Sequence, residues 1–357
     1  GKTIEKLNVM KSAKLAVSNG TVTGTVITAK AATLTASNCI FKSKVTCNGN
    51  GEFLHSTFED ALNARGDQVN VDYCTLNGTL TFSGGGTLQA GKVSGLITVN
   101  NGAVLDCSGS DGVHGAVLVK SGGKMYVHSG MKFTGNITVE ADAELTLYAG
   151  EFAKLVANPG STLTIKPIES NTVTITTAEI GKADKATLPT SVTFYAGVTF
   201  GEITVNGQRP IDCLADGLGY WDNDHSEITD GRNPNLSNVT VIAHAHDCVW
   251  NTATHEKLCG CGYVAATNTT APVISGVTDG GVYYGGIQFS VSDENEFTVT
   301  IDGSAVSSPL NTFTIEPDNR SHVITATDIA GNTVSITVSV MMTYRVTLSR
   351  GEGYTIT

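Results

Sequence analysis

Residues 97–105 read ITVNNGAVL, residues 117–125 VLVKSGGKM, residues 137–145 ITVEADAEL and residues 155–163 LVANPGSTL. The motif recurs at intervals of 18 to 20 residues, and each copy holds two short alternating runs around a turn of small residues. A third short strand can follow, and such units are typical of the coils of a parallel β-helix. A flat sandwich is the competing interpretation, but sandwiches do not usually repeat one motif at a fixed period. The sequence therefore predicts a right-handed parallel β-helix over residues 1–207.

The alternation also predicts which side chains fill the solenoid. Ile97 and Val99 point inward, and Val117 and Ile137 stack on them in later coils. The alignment places four cysteines at core positions: Cys39, Cys47, Cys74 and Cys107. Cys107 falls in register with Val127, Leu147 and Ile165 and is expected to act as a small apolar residue. Buried thiols are the favoured interpretation, and a disulfide between Cys39 and Cys74 is the alternative.

Two stretches, 51–70 and 176–190, break the regular spacing and are expected to leave the coil as loops. The first contains a concentration of charged residues: His55, Glu59, Asp60, Arg65, Asp67 and Asp72. We take Glu59, Asp60 and Arg65 as candidate ligand-binding residues. A solvated charged loop explains the same group without any function.

Composition and charge exclude several classes of function. The chain has 357 residues, 40% of them hydrophobic and only 15% charged, with 22 basic against 33 acidic residues. A net charge of −11 without a basic run argues against nucleic acid or an anionic membrane as partner. No apolar stretch reaches the ~18–20 residues of a membrane span, so direct membrane insertion is not expected. We interpret the sequence as part of a longer protein.

Residues 208–267 form a different region, in which both tryptophans occur. A solenoid needs an atypical unit over its end, and bulky aromatic residues suit that role. We interpret 208–242 as this cap. The alternative is a carbohydrate-stacking platform built on Tyr220 and Trp221.

The end of this region carries the densest group of metal-ligand residues. Imidazoles and thiolates in a short glycine-containing segment are typical of tetrahedral zinc sites. The preferred ligands are His246, His255, Cys259 and Cys261, with His244 and Cys248 as substitutes. The alternative is a disulfide from Cys248 to Cys259 or Cys261. A filled four-ligand site would be structural, since nothing nearby suggests an open coordination position.

Residues 268–340 have strands of 5–7 residues that recur every 8–12 residues, the pattern of an Ig-like β-sandwich. Four loop residues are oxygen donors that suit calcium: Asp293, Glu294, Asp328 and Asn332. Surface turns are rich in these residues in any case, so calcium is the weaker metal prediction. Residues 341–357 read as the start of a further, truncated module.

Several blocks resemble segments of large multidomain surface proteins of gut Firmicutes. They are CLADGLGY at 213–220, HAH at 244–246, CGCGY at 259–263 and ATDIAGN at 326–332, the last similar to the final-strand motif of bacterial Ig-like modules. The resemblance covers 210–357 by motif and 25–205 by architecture. It implies an extracellular, cell-wall-attached protein of a Gram-positive bacterium that acts as an adhesin or host-factor binder.

The expected function is therefore non-catalytic binding of a host glycoprotein, a glycan or an immunoglobulin. The alternative is a β-helix polysaccharide lyase or glycoside hydrolase acting on host or dietary glycans. Such enzymes need clustered carboxylates, or a basic residue beside acidic Ca²⁺ ligands. The regular coils present mostly Thr, Ser, Asn, Gly and Lys outward, which favours the binder.

Overall fold

The computed structural model describes residues 2–89, 91–109, 112–182 and 191–345. The chain forms two compact units, Gly1–His246 with Gly260–Tyr263, and Asp247–Cys259 with Val264–Thr357. The predicted irregular stretch 176–190 lies outside the described residues from 183 onward, and so does the predicted further module from 346 onward. Among the described residues, no helix has both the length and the hydropathy of a membrane span.

The first unit is a parallel β-solenoid, as the repeat predicts. Its strands, in chain order, are β1 Thr3–Ile4, β2 Leu7–Val9, β3 Lys14–Ser18, β4 Thr21–Val22, β5 Val26–Thr28, β6 Thr33–Ser37, β7 Ile40–Phe41, β8 Val45–Cys47, β9 Asn50–Leu54, β10 Thr57–Phe58, β11 Leu62–Ala64, β12 Val69–Asp72, β13 Thr75–Leu76, β14 Leu80–Phe82, β15 Gly85–Gln89, β16 Lys92–Val93, β17 Ile97–Val99, β18 Val104–Ser108, β19 Gly112–Val113, β20 Val117–Val119, β21 Lys124–Val127, β22 Lys132–Val139, β23 Glu144–Leu147, β24 Gly150–Ala157, β25 Thr162–Ile165, β26 Val173–Ile180, β27 Ser191–Phe194 and β28 Val198–Val205.

Each early coil contributes three strands, for example β4, β5 and β6. One strand of every coil, the longest in the early coils, joins a ten-stranded sheet that runs from β3 to β27. The two shorter strands of each coil join a second sheet, and in later coils they merge into eight-residue strands such as β22. Alternating residues face inward, so each coil adds one layer of apolar side chains to a continuous core.

The register within the solenoid agrees with the predicted one. Ile97 pairs with Val117, which pairs with Ile137. Cys107 lies beside Val127 on the next strand and has no exposed surface. The prediction that Cys107 is a core residue is confirmed.

Two expectations for the early coils are corrected. Residues 51–70 do not leave the coil, because β9 to β12 pair in register with the strands before and after them. Cys39 and Cys74 do not form a disulfide. Ser56 occupies the equivalent place in the coil between them, and its hydroxyl accepts the Cys39 N–H at 3.1 Å. The two cysteines are thus two coils apart, about 9–10 Å, beyond the ~7 Å reach of a disulfide.

A column of glycines allows neighbouring coils to approach closely at one corner. A Cβ on Gly115 would lie 1.9 Å from the Gly95 carbonyl oxygen, and one on Gly95 would lie 2.0 Å from the Gly78 oxygen. A Cβ on Gly135 would likewise lie 2.2 Å from the Gly115 carbonyl oxygen. Backbone of the preceding coil occupies the space of a side chain, so only glycine fits.

The C-terminal end of the solenoid is covered by a 3-10 helix, Pro210–Cys213, and three strands: β29 Leu218–Asp222, β30 Glu227–Ile228 and β31 Asn235–Ala243. β31 pairs antiparallel with β28, so the parallel stacking of coils stops there. Tyr220 and Val241 are fully buried in the solenoid core. This is the arrangement expected of a solenoid cap.

The second unit consists of three antiparallel-rich sheets. Its strands are β32 Val249–Asn251, β33 Glu256–Leu258, β34 Val264–Thr267, β35 Val273–Ser275, β36 Gly281–Tyr284, β37 Ile287–Ser292, β38 Phe297–Ile301, β39 Ser304–Val306, β40 Thr312–Ile315, β41 Arg320–Asp328 and β42 Thr333–Met341. β32 to β34 form a three-stranded sheet. A sheet ordered β35-β37-β40 and a sheet ordered β36-β42-β41-β38-β39 share one hydrophobic core, which includes Phe289, Phe313 and Ile324.

Candidate functional site

The main candidate site is a group of two histidines and two cysteines within eighteen residues of chain. His244 and His246 follow β31, and Cys259 and Cys261 lie in the turn between β33 and β34. The candidate ligand atoms all lie within 4.8 Å of one another. Among the described residues, this is the one group of three or more His, Cys, Asp or Glu side chains with metal-binding spacing.

Neighbouring contacts fix the histidine and cysteine side chains. His246 Nδ1 lies 3.3 Å from Cys261 Sγ, and the His246 ring stacks on Tyr263 with centroids 4.2 Å apart. The Cys261 carbonyl accepts the Gly231 N–H at 2.8 Å, which ties the turn to the loop that precedes β31. Both cysteines are buried, while both histidines are half-buried.

The donor set suits a metal ion in chemistry and spacing. Ligand atoms at the usual bond lengths from tetrahedral zinc lie roughly 3.3–3.8 Å from one another. The His246–Cys261 distance falls at the short end of that range. Burial lowers the pKa of His246, and the neighbouring His244 lowers it further, which favours the neutral imidazole that binds metals. The four side chains could therefore hold a metal such as zinc.

The fourth member of the group differs from the preferred prediction. His244, a substitute in the sequence-based set, takes the place assigned to His255. His255 lies in the hairpin turn between β32 and β33, where its N–H donates to Asn251 and its ring Nδ1 lies 2.9 Å from the Ala330 carbonyl oxygen. A three-residue strand separates His255 from Cys259, which is about 13 Å of extended chain.

Cys248, the other substitute, lies close to the group without being a member of it. Its thiol has a raised pKa because it is desolvated and because Cys259 lies beside it. The structure has no disulfide from Cys248 to Cys259 or Cys261. Oxidation of the neighbouring Cys248 and Cys259 is the chemical alternative to a metal site.

The aromatic platform at the cap is not supported for Tyr220. Its side chain is fully buried, and its hydroxyl donates to the Pro210 carbonyl at 3.0 Å. Burial raises the pKa of Tyr220 well above its ordinary value. Trp221, the next residue, is half-buried and pairs with Ile228 and Thr240. Tyr220 therefore belongs to the core and cannot stack on a sugar.

The charged candidates of the solenoid lie at different corners of one coil. Glu59 and Asp60 are exposed in the turn between β10 and β11, whereas Arg65 follows β11. Asp60 caps its own turn by accepting the Ala61 N–H at 2.7 Å. Among the described residues, no side-chain hydrogen bond or ion pair joins any two of the six charged residues of this region. They do not form a concentrated site.

Three of the four residues predicted for calcium, Asp293, Asp328 and Asn332, are engaged in hydrogen bonds within the protein. Asp328 is buried, and its carboxylate accepts N–H donors from Asn268 at 2.7 Å and from Asn332 at 2.7 and 2.9 Å. Asp293 accepts the Asn295 N–H at 2.7 Å in a turn. Protein donors therefore occupy the Asp328 carboxylate, and Asp293, Glu294 and Asp328 do not form a group with metal-binding spacing among the described residues.

A second candidate site lies on the outer face of the ten-stranded sheet. A shallow cavity of about 340 Å³ opens there, lined in part by Asp67, Gln68, Asn70, Thr87 and Asp106. Gly85, which pairs with Val104 on the neighbouring strand, also lines the cavity and contributes no side chain to it.

Beside this cavity stand three aromatic rings. Asp106 pairs with Tyr126 on the next strand, and Asp106 Oδ1 lies 3.1 Å from His128 Nε2. The His128 ring stacks on Tyr148 at 5.0 Å and lies 6.4 Å from Tyr126. This cluster is not among the sites predicted from the sequence, although a signal is present: His128 and Tyr148 are outward residues one repeat, 20 positions, apart.

Comparison with known protein families, curated proteins and solved structures gave no match to this chain. The functional argument therefore depends on the chain's own residues.

Proposed function

We propose that the chain is a non-catalytic cell-surface protein, an adhesin or host-factor binder whose solenoid presents a binding face. The observation that carries the proposal is the registered outer surface of the ten-stranded sheet. Asn70, Thr87, Asp106 and Tyr126 occupy equivalent outward positions on four consecutive strands. Such a surface offers many weak polar contacts along one line, which suits an extended ligand.

The dispersal of Glu59, Asp60 and Arg65 removes this group as a candidate site for glycan cleavage, which supports a binder. Glycosidases position a pair of carboxylates about 5–10 Å apart across the bond they cleave. Glu59 and Asp60 instead point from an exposed corner, and Arg65 lies at the next corner. The partner class that we propose is a host glycoprotein, a glycan or an immunoglobulin.

We also propose that the second unit is an Ig-like module. Strands β35, β37 and β40 correspond in order to the A, B and E strands of Ig-like sandwiches. Strands β38, β41 and β42 correspond to C, F and G. Ig-like modules commonly extend surface proteins, and together with the resemblance to Firmicutes surface proteins this supports an extracellular, cell-wall-attached location.

The His244, His246, Cys259 and Cys261 group is proposed to bind structural zinc. Two sulfur and two nitrogen donors complete a tetrahedral shell, and such closed sites stabilise a fold rather than activate water. When bound, zinc would hold the turn at Cys259–Cys261 against the histidine segment.

The proposal is tested by direct binding. The purified chain is immobilised and exposed to mucin, to mucin glycans released from their protein, and to serum immunoglobulin. Saturable retention of one of these ligands, identified by mass spectrometry and recovered intact, is the expected result. Release of unsaturated, ultraviolet-absorbing products from acidic polysaccharides would contradict the proposal and indicate a lyase.

A further inference from the structure

We infer that the cavity beside Tyr126 on the ten-stranded sheet binds a neutral oligosaccharide, laid along the solenoid axis. This inference rests on the proposed binding function and names its ligand and its location. The site, called here the sheet-face groove, consists of Asn70, Thr87 and Asp106, which line the cavity, and of Tyr126 and His128, which lie beside Asp106.

The groove has the polar groups that sugar hydroxyls need. Thr87 Oγ1 donates to Asn70 Oδ1 at 3.2 Å, which orients the amide so that its nitrogen remains a donor. The Asp106 carboxylate is half-exposed, with one oxygen held by His128 and the other available to accept hydroxyl donors. Gln68 adds a second amide at the opposite wall.

The aromatic rings supply the apolar surface that sugar rings pack against. Tyr126 and His128 lie next to Asp106, and Tyr148 stacks on His128 one coil further along the solenoid. Sugar sites combine a few convergent polar groups with aromatic side chains, and this face has both. From Asn70 to Tyr148 the surface crosses four strand spacings, roughly 19 Å, which fits a chain of sugars better than a single one.

The charges favour a neutral ligand over an acidic one. Asp67 and Asp106 contribute two carboxylates, and none of the eight described residues that line the cavity is Lys or Arg. Lys124, on the strand of Tyr126, is engaged by Glu144 at 2.8 Å. Sialylated, sulfated or uronic-acid glycans would meet repulsion at this face.

A protein partner fits this groove less well. Protein interfaces have an apolar core that is depleted of charge. The lining of the cavity contains one exposed apolar side chain, Val104, beside two carboxylates and two amides. Protein binding at this face is therefore the competing outcome of the test.

The test compares two tryptophan substitutions at equivalent outward threonines. Thr87→Trp fills the groove, whereas Thr164→Trp changes the same position of β25, four strands away. Isothermal titration calorimetry is done with tetrasaccharides of glucose, mannose, galactose and N-acetylglucosamine, and with oligogalacturonate and sialyllactose as acidic probes. We expect a neutral tetrasaccharide to bind the parent chain and Thr164→Trp equally, and Thr87→Trp to lose binding.

A third variant keeps the inference falsifiable if Thr87→Trp does not fold. Asp106→Asn preserves size and is expected to weaken binding about tenfold, because it replaces a charged acceptor by a neutral one. Binding of acidic probes only, or no binding of any neutral probe, would overturn the inference. So would binding that both Thr87→Trp and Asp106→Asn leave unchanged.

The outcomes also separate this inference from the proposed function. If Thr87→Trp still retains mucin or immunoglobulin in the capture experiment, the assignment of ligand binding to the sheet-face groove is wrong and the binder proposal stands. If the parent chain retains none of these ligands and no oligosaccharide, both proposals fail together.

Discussion

Cysteine occurs in two contrasting environments in this chain. In the solenoid and its cap, Cys107 and Cys213 are fully buried, and Cys74 nearly so. Burial raises the pKa of Cys74 to about 11 and that of Cys213 to about 12, and it raises the pKa of Cys107 further. These thiols are unreactive core residues. Cys259 and Cys261 are equally buried, but they face two imidazoles.

The first prediction concerns the metal. Elemental analysis of the purified chain should find about one zinc ion per chain, and Cys261→Ser should lose it because a closed site needs all four ligands. Cys248→Ser, the matched control, should keep the ion. Absence of zinc together with a Cys248–Cys259 disulfide in mass spectrometry would contradict the zinc assignment.

The second prediction concerns His322 in the second unit. Its Nδ1 lies 2.7 Å from Asp302 and its Nε2 3.0 Å from Asp318, and its side chain is only 11% exposed. Burial lowers the pKa of His322, but the hydrogen bonds to Asp302 and Asp318 outweigh it, so the pKa lies above 6.5. The charged imidazolium therefore stabilises the folded unit fully below pH 6.5 and loses that effect as the pH rises through the folded pKa.

The carboxylates of Asp302 and Asp318 set the lower pH limit of the stabilisation that the His322 pair provides. Hydrogen bonds from the Val323 N–H and from His322 lower the pKa of Asp302, and His322 likewise lowers that of Asp318. Their contribution is present above pH 3.8 and is lost as the pH falls through their folded pKa values. His322→Gln should lower the unfolding free energy by about 1 kcal/mol between these limits.

Thermal unfolding measured from pH 4 to pH 9 checks this prediction. The difference between the parent chain and His322→Gln should shrink as the pH rises above 6.5 and passes through the folded pKa of His322. His225→Gln is the control, because the His225 side chain is 72% exposed and its pair with Asp222 should contribute little. A difference that does not change with pH would show that His322 acts by packing alone.

At the scale of elements, the glycine column sets how closely coils stack. Gly115→Ala would force a Cβ into the Gly95 carbonyl, so neighbouring coils must separate locally. We expect a loss of about 1–3 kcal/mol of unfolding free energy, the usual cost of overpacking. Gly20→Ala is the control, since its Cβ would meet nothing closer than 3.3 Å. Equal midpoints of the two variants in denaturant unfolding would refute the assignment.

The solenoid can be predicted well from the sequence because every coil repeats the same pattern of inward-facing apolar residues. Each inward residue stacks on an equivalent residue about 20 positions away, so periodicity alone places Ile97, Val117 and Ile137 together. Periodicity gives a wrong prediction at 51–70, where an uneven spacing suggests a loop but the strands still pair in register. The turns between strands differ in length there, but the pairing of strands from coil to coil continues.

The candidate sites are harder to predict because they depend on turns and on outward positions. His255 and His244 are equivalent as ligands in the sequence, and only the β32–β33 hairpin carries His255 away from Cys259. The rings of His128 and Tyr148 become a cluster only when the outward register of β21 and β23 is known. Binary patterns define the core face of a strand and leave its outer face unspecified.

At the scale of the whole molecule, the chain joins two units with separate hydrophobic cores. One core spans the solenoid from Val9 to Val241, and the other lies in the second unit from Val277 to Val340. Neither needs the other's residues to bury its apolar side chains. The solenoid has a long repetitive surface, and the second unit has two sheets that share its own core. The proposed ligand-binding face lies on the first of these surfaces.

The most direct test of the binder account is one titration of the intact chain with purified mucin, in which bound ligand and reaction products are measured in the same sample. The account predicts a saturable isotherm and mucin glycans that are recovered with unchanged masses. Shortened or unsaturated glycans, or the absence of a saturable signal for mucin, its released glycans and immunoglobulin alike, would contradict it.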